Sequence, residues 1–375
     1  MNFSIDRIQF LQAMQDMASV SPASSPLQAL TCTCIEANTD TQEVIMTANN
    51  LEFAVERTVP ARVKEGGVTL SPTSLLLQMV MLLGEKDVLF MESQSRQYLQ
   101  SGQAKYLIMG LPAENYPLPD FTVPEKTARV SNLRMLYKRT VFAVCHDKEK
   151  PTLGCIRLDC SPDSVSAAAC NTFCLMTVTH PMEGGGDGEF LLPAASFRAL
   201  AAMIGDQDVL EIGADEKHVY LSMDDFRFMS TYPEGGYMEV DALLSNIKDT
   251  YSAAMNAQDL RDAVESVSVV AGEGGLIRMQ LQSKGALLHT AQGRSSSKIL
   301  CSAKVLTQTA GDGFCYRGST LKNAVKSMDG LLAISIDPRG TLLIRGKDAA
   351  YMQLPTRQAV KKKKAAEKKE KAAAA

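Results

Sequence analysis

The sequence predicts an α+β chain built from three tandem copies of one module, each copy carrying two helices packed on antiparallel sheet. Three observations carry this expectation. Pro112, Pro233 and Pro355 are spaced 121 and then 122 residues apart, and each closes the same run of elements. A long apolar stretch precedes each proline: PTSLLLQMVMLLGEKDVLFMES from Pro72, PAASFRALAAMIGDQDVLEIGA from Pro193 and STLKNAVKSMDGLLAISIDPRG from Ser319. Within each, apolar residues return at helical spacing for about three turns before a tight turn. A further helical stretch opens each copy, over residues 5–18, 131–141 and 257–267. Tandem equivalent blocks form an arc, and such arcs close into rings.

The elements follow in order. After each apolar helix the pattern changes to short strands, at residues 88–90, 209–212 and 332–334, rich in valine, isoleucine and leucine. The expected domains are residues 1–121, 122–247 and 248–358, followed by a Lys/Ala-rich tail over 359–375. That tail holds too few apolar residues to bury, so disorder or a solvated helix is expected there. The segment 361–375 carries seven lysines against two glutamates, or +5, so a chain of net charge −3 bears about −8 over residues 1–360. An acidic body does not adhere to nucleic acid through net charge, and any such contact needs a local basic face.

Composition removes several classes. At 375 residues and 45% hydrophobic content, each copy can bury its own core. No run of eighteen apolar residues is present, so no membrane partner is expected. The opening MNFSIDRIQF lacks a basic-then-apolar leader, which points to a cytoplasmic protein. Nine cysteines without regular spacing do not form a disulfide framework. Cys32, Cys34, Cys170 and Cys174 sit in strand-like sequence, where cysteine serves as a small hydrophobe. The four histidines, at 146, 180, 218 and 289, make no metal-ligand set with them, so neither metal nor cofactor is expected.

Enzymatic motifs are weak. Gly184–Gly188 and Gly272–Gly275 lack the Lys-Ser/Thr of a phosphate loop and read as hairpin turns. Cys145 and His146 are adjacent, and on a strand they would point to opposite faces, poor geometry for a thiolate–imidazole pair. Asp224 and Asp225 lie in a turn with no partner base.

Several segments together resemble the bacterial DNA polymerase III beta subunit family, the sliding clamps. MNFSIDRIQFLQAMQ is similar to the family's opening strand and helix, and TANNLEFAVERTVPARV from Thr47 to its first strand–turn region. LPAENYPLPDF from Leu111 resembles the linker between the first two domains. PEGGYMEV from Pro233 stands where the family has E-G-R-Y-P-D, and YMQLPTR from Tyr351 resembles its closing strand. The resemblance spans residues 1–357. It implies a ring of six domains from a homodimer, with helices lining a hole that encircles duplex DNA and sheets forming the outer wall. A closed ring cannot leave a duplex sideways, so weak, sequence-blind phosphate contact is enough and permits sliding.

The resemblance also assigns residues. DNA-facing candidates are Arg7, Arg134, Lys138, Arg139, Arg198, Lys322 and Lys326. A peptide-binding pocket would be walled by Leu153, Cys170, Leu175, Met238, Leu243, Met352 and Leu354, with Pro355 and Arg357 at its rim. The dimer seam would join Lys105, Tyr106 and Ile108 of one chain to Val269 and Val270 of the other. Implied partners are duplex DNA, the DNA polymerase III catalytic subunit, an ATP-driven clamp loader and other proteins bearing a clamp-binding linear motif. No catalytic residue and no cofactor are implied. Three departures from the pattern stand out: Ser24–Leu27 lacks the usual loop arginine, Ala194-Ala195-Ser196 lacks basic residues, and Ala169–Met176 keeps only an alanine and a leucine of the family's segment. They open a second reading, a clamp-like peptide-binding scaffold without efficient DNA loading.

Overall fold

The structure, a computed structural model, describes residues 1–122, 124, 127–231, 233–272, 274–292 and 295–356. The chain divides into two compact units, residues 1–170 with 178–238, and residues 171–177 with 239 onward. The lysine-rich tail and Arg357 lie outside the described residues.

Seven α-helices are present among the described residues: α1 (Arg7–Val20), α2 (Thr73–Leu82), α3 (Leu133–Thr140), α4 (Ala194–Met203), α5 (Val240–Ser245), α6 (Ala257–Ala271) and α7 (Gly318–Lys326). They form three pairs, α1 on α2, α3 on α4 and α6 on α7, with the short α5 outside the repeat. Burial follows one period in all three leading helices: Phe10, Ala13, Met14 and Met17 in α1, Leu133, Leu136 and Thr140 in α3, and Leu260, Ala263, Val264 and Val267 in α6. The i, i+3, i+4, i+7 stripe faces the sheets, as an amphipathic helix requires.

Two of these helices start later or end later than sequence spacing predicts, for capping reasons. The Asp6 carboxylate accepts from the Ile8 and Gln9 N–H groups, which pins the start of α1 at Arg7 and leaves Ile5 in the strand Asn2–Asp6. Asn256 caps α6 in the same manner, and α6 runs on to Ala271, where Gly272 at φ 67° ends it.

Within the first unit, a 12-stranded antiparallel sheet runs from the edge strand Ala104–Met109 through Arg96–Ser101, Asp87–Ser93, Asn2–Asp6 and Phe53–Glu65 to the strands of the second repeat. The first repeat joins the second directly, because Phe53–Glu65 pairs antiparallel with Phe226–Thr231. Alternation sets the core: Phe3 and Ile5 are buried between half-exposed Asn2 and Ser4, and Phe3 stacks on Phe90 with centroids 5.0 Å apart. The linker after Pro112 folds back on the first repeat, where Tyr116 packs on Cys32, Cys34 and Leu70.

A buried ionic group also ties the first repeat to the second. Arg57 on Phe53–Glu65 donates through Nε (3.0 Å) and Nη2 (2.9 Å) to one oxygen of Asp16 on α1. Its Nη1 donates to Asp225 in the turn after His218–Met223, at 3.2 Å. The guanidinium lies 4.6 Å from the Phe226 ring centroid. Burial pushes the Asp16 carboxyl above its ordinary value even though Arg57 opposes the shift. Asp225, one of the paired carboxylates of the sequence, therefore serves this cluster.

In the second unit, Lys304–Thr307, Tyr251–Asn256, Leu331–Ile336, Leu342–Arg345 and Ala349–Gln353 are consecutive neighbours in one sheet. A four-stranded sheet follows the order Ser295–Cys301, Gly285–Gln292, Leu276–Gln282, Phe314–Arg317, with α6 against it.

Three local expectations are corrected. The strands flanking Gly184–Gly188 do not pair with each other: Gly188–Pro193 pairs with Cys155–Ser161, and the intervening loop instead bonds to residues 162 and 163. Gly272–Gly275 links a helix to a strand, so it is not a hairpin turn either. Cys145 and His146 follow the 3₁₀ turn Val141–Ala143 in irregular chain, not a strand. Eight of the nine cysteines are buried. Burial raises the thiols of Cys34, Cys155 and Cys160 to about 12, which leaves them protonated and inert at neutral pH.

Candidate nucleic-acid and peptide interfaces

The helical faces differ sharply in charge. Arg7 is the one basic residue on α1 or α2, and it is only half-exposed at the helix start. The exposed positions of this pair are Ile8, Gln9, Gln12, Gln15 and Ser19 on α1, and Ser74, Leu75, Gln78, Met81 and Leu82 on α2. None of them is charged.

The α3–α4 pair is basic. Lys138 and Arg198 are exposed, and Arg139 donates to the Met135 sulfur at 3.7 Å. Arg134 is a correction. Its Nε donates to the Ala201 carbonyl at 2.8 Å, its Nη2 to the Ile204 carbonyl, and Asp206 lies 3.7 Å away. These are the orphan carbonyls at the end of α4. Arg134 is spent on closing a helix terminus rather than facing a phosphate.

The third pair repeats the device. Arg261 donates to the Val325 carbonyl at 3.5 Å, the Met328 carbonyl at 2.8 Å and Asp329 at 3.0 Å, at the end of α7. Leu133-Arg134 and Leu260-Arg261 occupy the same place in the burial period, whereas the first repeat has Phe10-Leu11 there. A cation on helix C-terminal carbonyls contributes about 1–2 kcal/mol. Arg134→Ala and Arg261→Ala are each expected to lower stability by that amount in denaturant titrations. A loss below about 0.5 kcal/mol would refute the capping role, that being the level of ordinary surface substitutions.

Lys322 and Lys326 both approach Glu265 on α6, at 3.3 and 3.7 Å. The Lys322 ammonium beside Glu265 holds that carboxyl below its ordinary value. With Asp259 and Asp262 also on α6, the α6–α7 face carries as many acidic as basic side chains.

The proposed pocket residues belong to two units, and each half stands by itself. In the first unit, Leu153 sits in the 3₁₀ turn Pro151–Gly154, and its carbonyl accepts from Cys145 N–H at 2.9 Å. The Met238 carbonyl accepts from Arg157 at 3.3 Å. Cys170 is buried in the core and offers no surface, against the sequence expectation.

In the second unit, Met352, Leu354 and Pro355 fall together at the end of Ala349–Gln353. Leu354 N–H donates to the Phe173 carbonyl at 2.9 Å, and Thr356 N–H to the Cys315 carbonyl at 2.8 Å. Gln353 is buried and bonds inward to Thr320 and Arg317, so strand alternation turns Leu354 outward, 42% exposed. Phe173, also 42% exposed, lies under the Arg317 guanidinium at 3.7 Å. Leu243, in the short helix α5, is partly exposed. Leu175 is fully buried and is a core residue, a second correction. The sequence reading missed Phe173 and Arg317. Phe173 falls in the segment that departs from the family pattern, and Arg317 is 144 residues away from it along the chain.

The seam residues also need one correction. Ile108 pairs opposite Gln97 and points into the core, so Lys105, Leu107 and Met109 form the outward side of the edge strand. Leu107 and Met109 are 54% and 61% exposed. Tyr106 is half-buried on the inward side with Ile108. Val269 is exposed on α6 and Val270 half-buried. The strand Ser295–Cys301 ends its own sheet and exposes Leu300 and Lys298.

Among the described residues, no cluster of three or more histidine, cysteine or acidic side chains could hold a metal ion, and no helix is long and apolar enough to cross a membrane. A repeated helix-pair-on-sheet architecture, with a basic helical surface and an apolar strand end, defines the clamp class of protein. Residues 1–120 match the N-terminal domain of the DNA polymerase III beta subunit, and residues 120–239 match its central domain. The beta sliding clamp of Bacillus subtilis (strain 168) is 24% identical over 306 residues, covering 76% of this chain and 79% of that protein. The beta sliding clamp of a Synechocystis species is 25% identical over 283 residues, covering 68% and 72%. Among solved structures, the Bacillus subtilis DNA polymerase sliding clamp superposes with a TM-score of 0.87 at 17% identity, over 96% of this chain and 99% of that one. A putative DNA polymerase III beta subunit from Eubacterium rectale gives 0.88 at 14% identity, over 96% and 100%. The chain belongs to the DNA polymerase III beta subunit family.

Proposed function

We propose that this protein is a DNA polymerase processivity factor, a sliding clamp that encircles duplex DNA and tethers a polymerase to it. The observation that carries this reading is the extent of the likeness. Two beta-subunit domains match in order over residues 1–239, and the clamp fold extends over 96% of the chain. On this reading the chain is a non-catalytic cytoplasmic subunit, uses no cofactor itself, and has domain boundaries near residues 122 and 248. Two copies would close the ring by pairing the edge strand Ala104–Met109 with Ser295–Cys301 of the second copy, since unpaired strand edges invite such addition. An ATP-driven loader would open it. Partners would dock an apolar-ended segment on Met352, Leu354, Pro355 and Phe173.

Retention on circular against linear duplex DNA, after loading by the cognate loader, tests this directly. A clamp stays on circles and runs off linear ends; equal retention on both would end the proposal. Lys138 and Arg198 are the exposed basic side chains of the α3–α4 face. Lys138→Glu with Arg198→Glu is expected to weaken non-specific duplex binding at low salt. Removing two phosphate contacts should flatten the slope of log K against log salt by about 1.8. An unchanged slope would place the DNA-facing surface elsewhere.

One observation favours a second reading, a peptide-binding scaffold that loads poorly on DNA. The α1–α2 face is uncharged and the α6–α7 face is balanced, so the phosphate-seeking charge rests on one helix pair of three. The circle assay separates the two readings.

A further inference from the structure

The four-stranded sheet of the second unit carries an unusual cross-strand row. Register places Arg278 on Leu276–Gln282 directly opposite His289 on Gly285–Gln292, and His289 directly opposite Lys298 on Ser295–Cys301. Directly opposite residues project from the same face of a sheet, so one row of three neighbouring strands bears a guanidinium, an imidazole and an ammonium. Like charges in such positions destabilise a sheet. The same three residues line one surface pocket with Gln280, Gln282, Thr290 and the apolar Leu276 and Leu287. Asp312 is the single acidic residue in that lining, and it is exposed. Arg278 also reaches the Cys315 thiol.

We propose that this groove is an anion site that takes a phosphate-type oxyanion between Arg278, His289 and Lys298. The outer two strands of the row are about 10 Å apart, two strand spacings. Long arginine and lysine side chains close that span onto one phosphate or two linked ones, with the imidazole beneath as a third donor. Arginine offers its planar fork to two oxygens and lysine a point charge. Gln280 and Gln282, whose amides donate once to the Gly311 carbonyl and to Gln280 Oε1, each keep a second N–H for the rim, whereas the Thr290 hydroxyl is spent on the Leu276 carbonyl. The site is distinct from the helical faces and the Leu354 end. It shares the strand Ser295–Cys301 with the proposed ring seam, but Lys298 projects from the face of that strand and not from its pairing edge, and the site goes beyond the clamp reading.

The charges that face His289 are Arg278 from one neighbouring strand, Lys298 from the other, and Asp312 from the turn before Phe314. Burial first, and then the two cations, hold the imidazole below its ordinary value, with Asp312 opposing. A bound oxyanion reverses the local field, so it must raise the affinity of His289 for its proton, and binding must strengthen as pH falls through that titration.

The test is NMR titration of the four histidine rings in the intact protein, alone and with inorganic pyrophosphate or a short single-stranded oligothymidylate. Pyrophosphate supplies a free oxyanion and the oligonucleotide a phosphodiester backbone; whichever shifts His289 at lower concentration identifies the source. The expected result is an upward His289 shift of at least half a pH unit, with His146 and His218 unmoved. Arg278→Gln and Lys298→Gln should each raise the required ligand concentration at least tenfold. Lys138→Glu, on the helical face, should leave it unchanged. No His289 shift with either probe, or a shift of the same size in both glutamine variants, overturns the proposal. Circular dichroism and melting of the variants guard against misfolding, and relieving like-charge repulsion should leave them at least as stable as the parent.

Discussion

Arg57→Ala is expected to destabilise the first unit by about 3–5 kcal/mol, the usual loss when one partner of a buried ion pair is removed. Asp16 is 2% exposed and receives both Arg57 contacts on one oxygen; without them only Gln12 remains, at 3.3 Å. The carboxylate must then either stay charged in an apolar setting or take up a proton. The melting midpoint should fall by roughly 6–20 °C for a unit of this size. The pH dependence has a definite sign. Asp16 already titrates above its ordinary value, so its contribution to stability is present at acid pH and is lost as pH rises through the raised value. Removing Arg57 takes away the main force lowering it, so the variant loses more over a wider window. The gap between parent and variant should be smaller at pH 4.5 than at pH 7.5. A second variant, Asp16→Leu with Arg57→Met, should recover most of the loss, because a well-packed apolar pair replaces a buried ion pair at little cost. A loss below about 1 kcal/mol for Arg57→Ala would show that the buried pair does not hold α1 to the strand Phe53–Glu65.

Much of this fold is written in periodicity. The apolar helices that precede strands, α2, α4 and α7, are legible because apolar residues recur at helical spacing, and the opening helices α1, α3 and α6 keep a buried stripe of the same period with little sequence in common. What periodicity does not carry is which way a short strand faces. Ile108 and Leu107 are both apolar, so composition does not say which turns inward; pairing with Arg96–Ser101 decides it. Charge is equally ambiguous along a helix. Arg134 and Lys138 lie on the same short helix, yet Arg134 reaches back to the carbonyls that end α4 while Lys138 stays in solvent. That difference depends on where α4 terminates, which is a tertiary fact. The Phe173–Arg317 stack and the Arg278–His289–Lys298 row are legible only from register between distant strands. The same holds for Arg57, whose partners lie 41 and 168 residues away.

The apolar end of the last strand gives the second large effect. Met352→Ala with Leu354→Ala is expected to weaken capture of a clamp-binding peptide by more than tenfold while leaving the fold intact. Backbone geometry explains why the two properties separate. Leu354 is held by its own N–H on the Phe173 carbonyl and by buried Gln353 beside it, neither of which needs the leucine side chain. Its side chain is 42% exposed, so truncation removes little core. Covering the exposed 42% of Leu354 is worth about 0.6–1.2 kcal/mol, the ligand side chain that covers it loses a similar burial when the leucine is truncated, and Met352 adds a smaller share. Every 1.4 kcal/mol is tenfold in affinity, so the pair should exceed that factor. Methionine suits such a surface because its flexible thioether adapts to different partners. Fluorescence anisotropy with a labelled peptide carrying the apolar-ended clamp-binding segment of a DNA polymerase III catalytic subunit measures the change. Phe173→Ala should act in the same direction, since it removes the ring on which Arg317 rests and frees that guanidinium into the docking surface. Affinity unchanged in the double variant, with the melting midpoint also unchanged, would move the docking surface off this strand end.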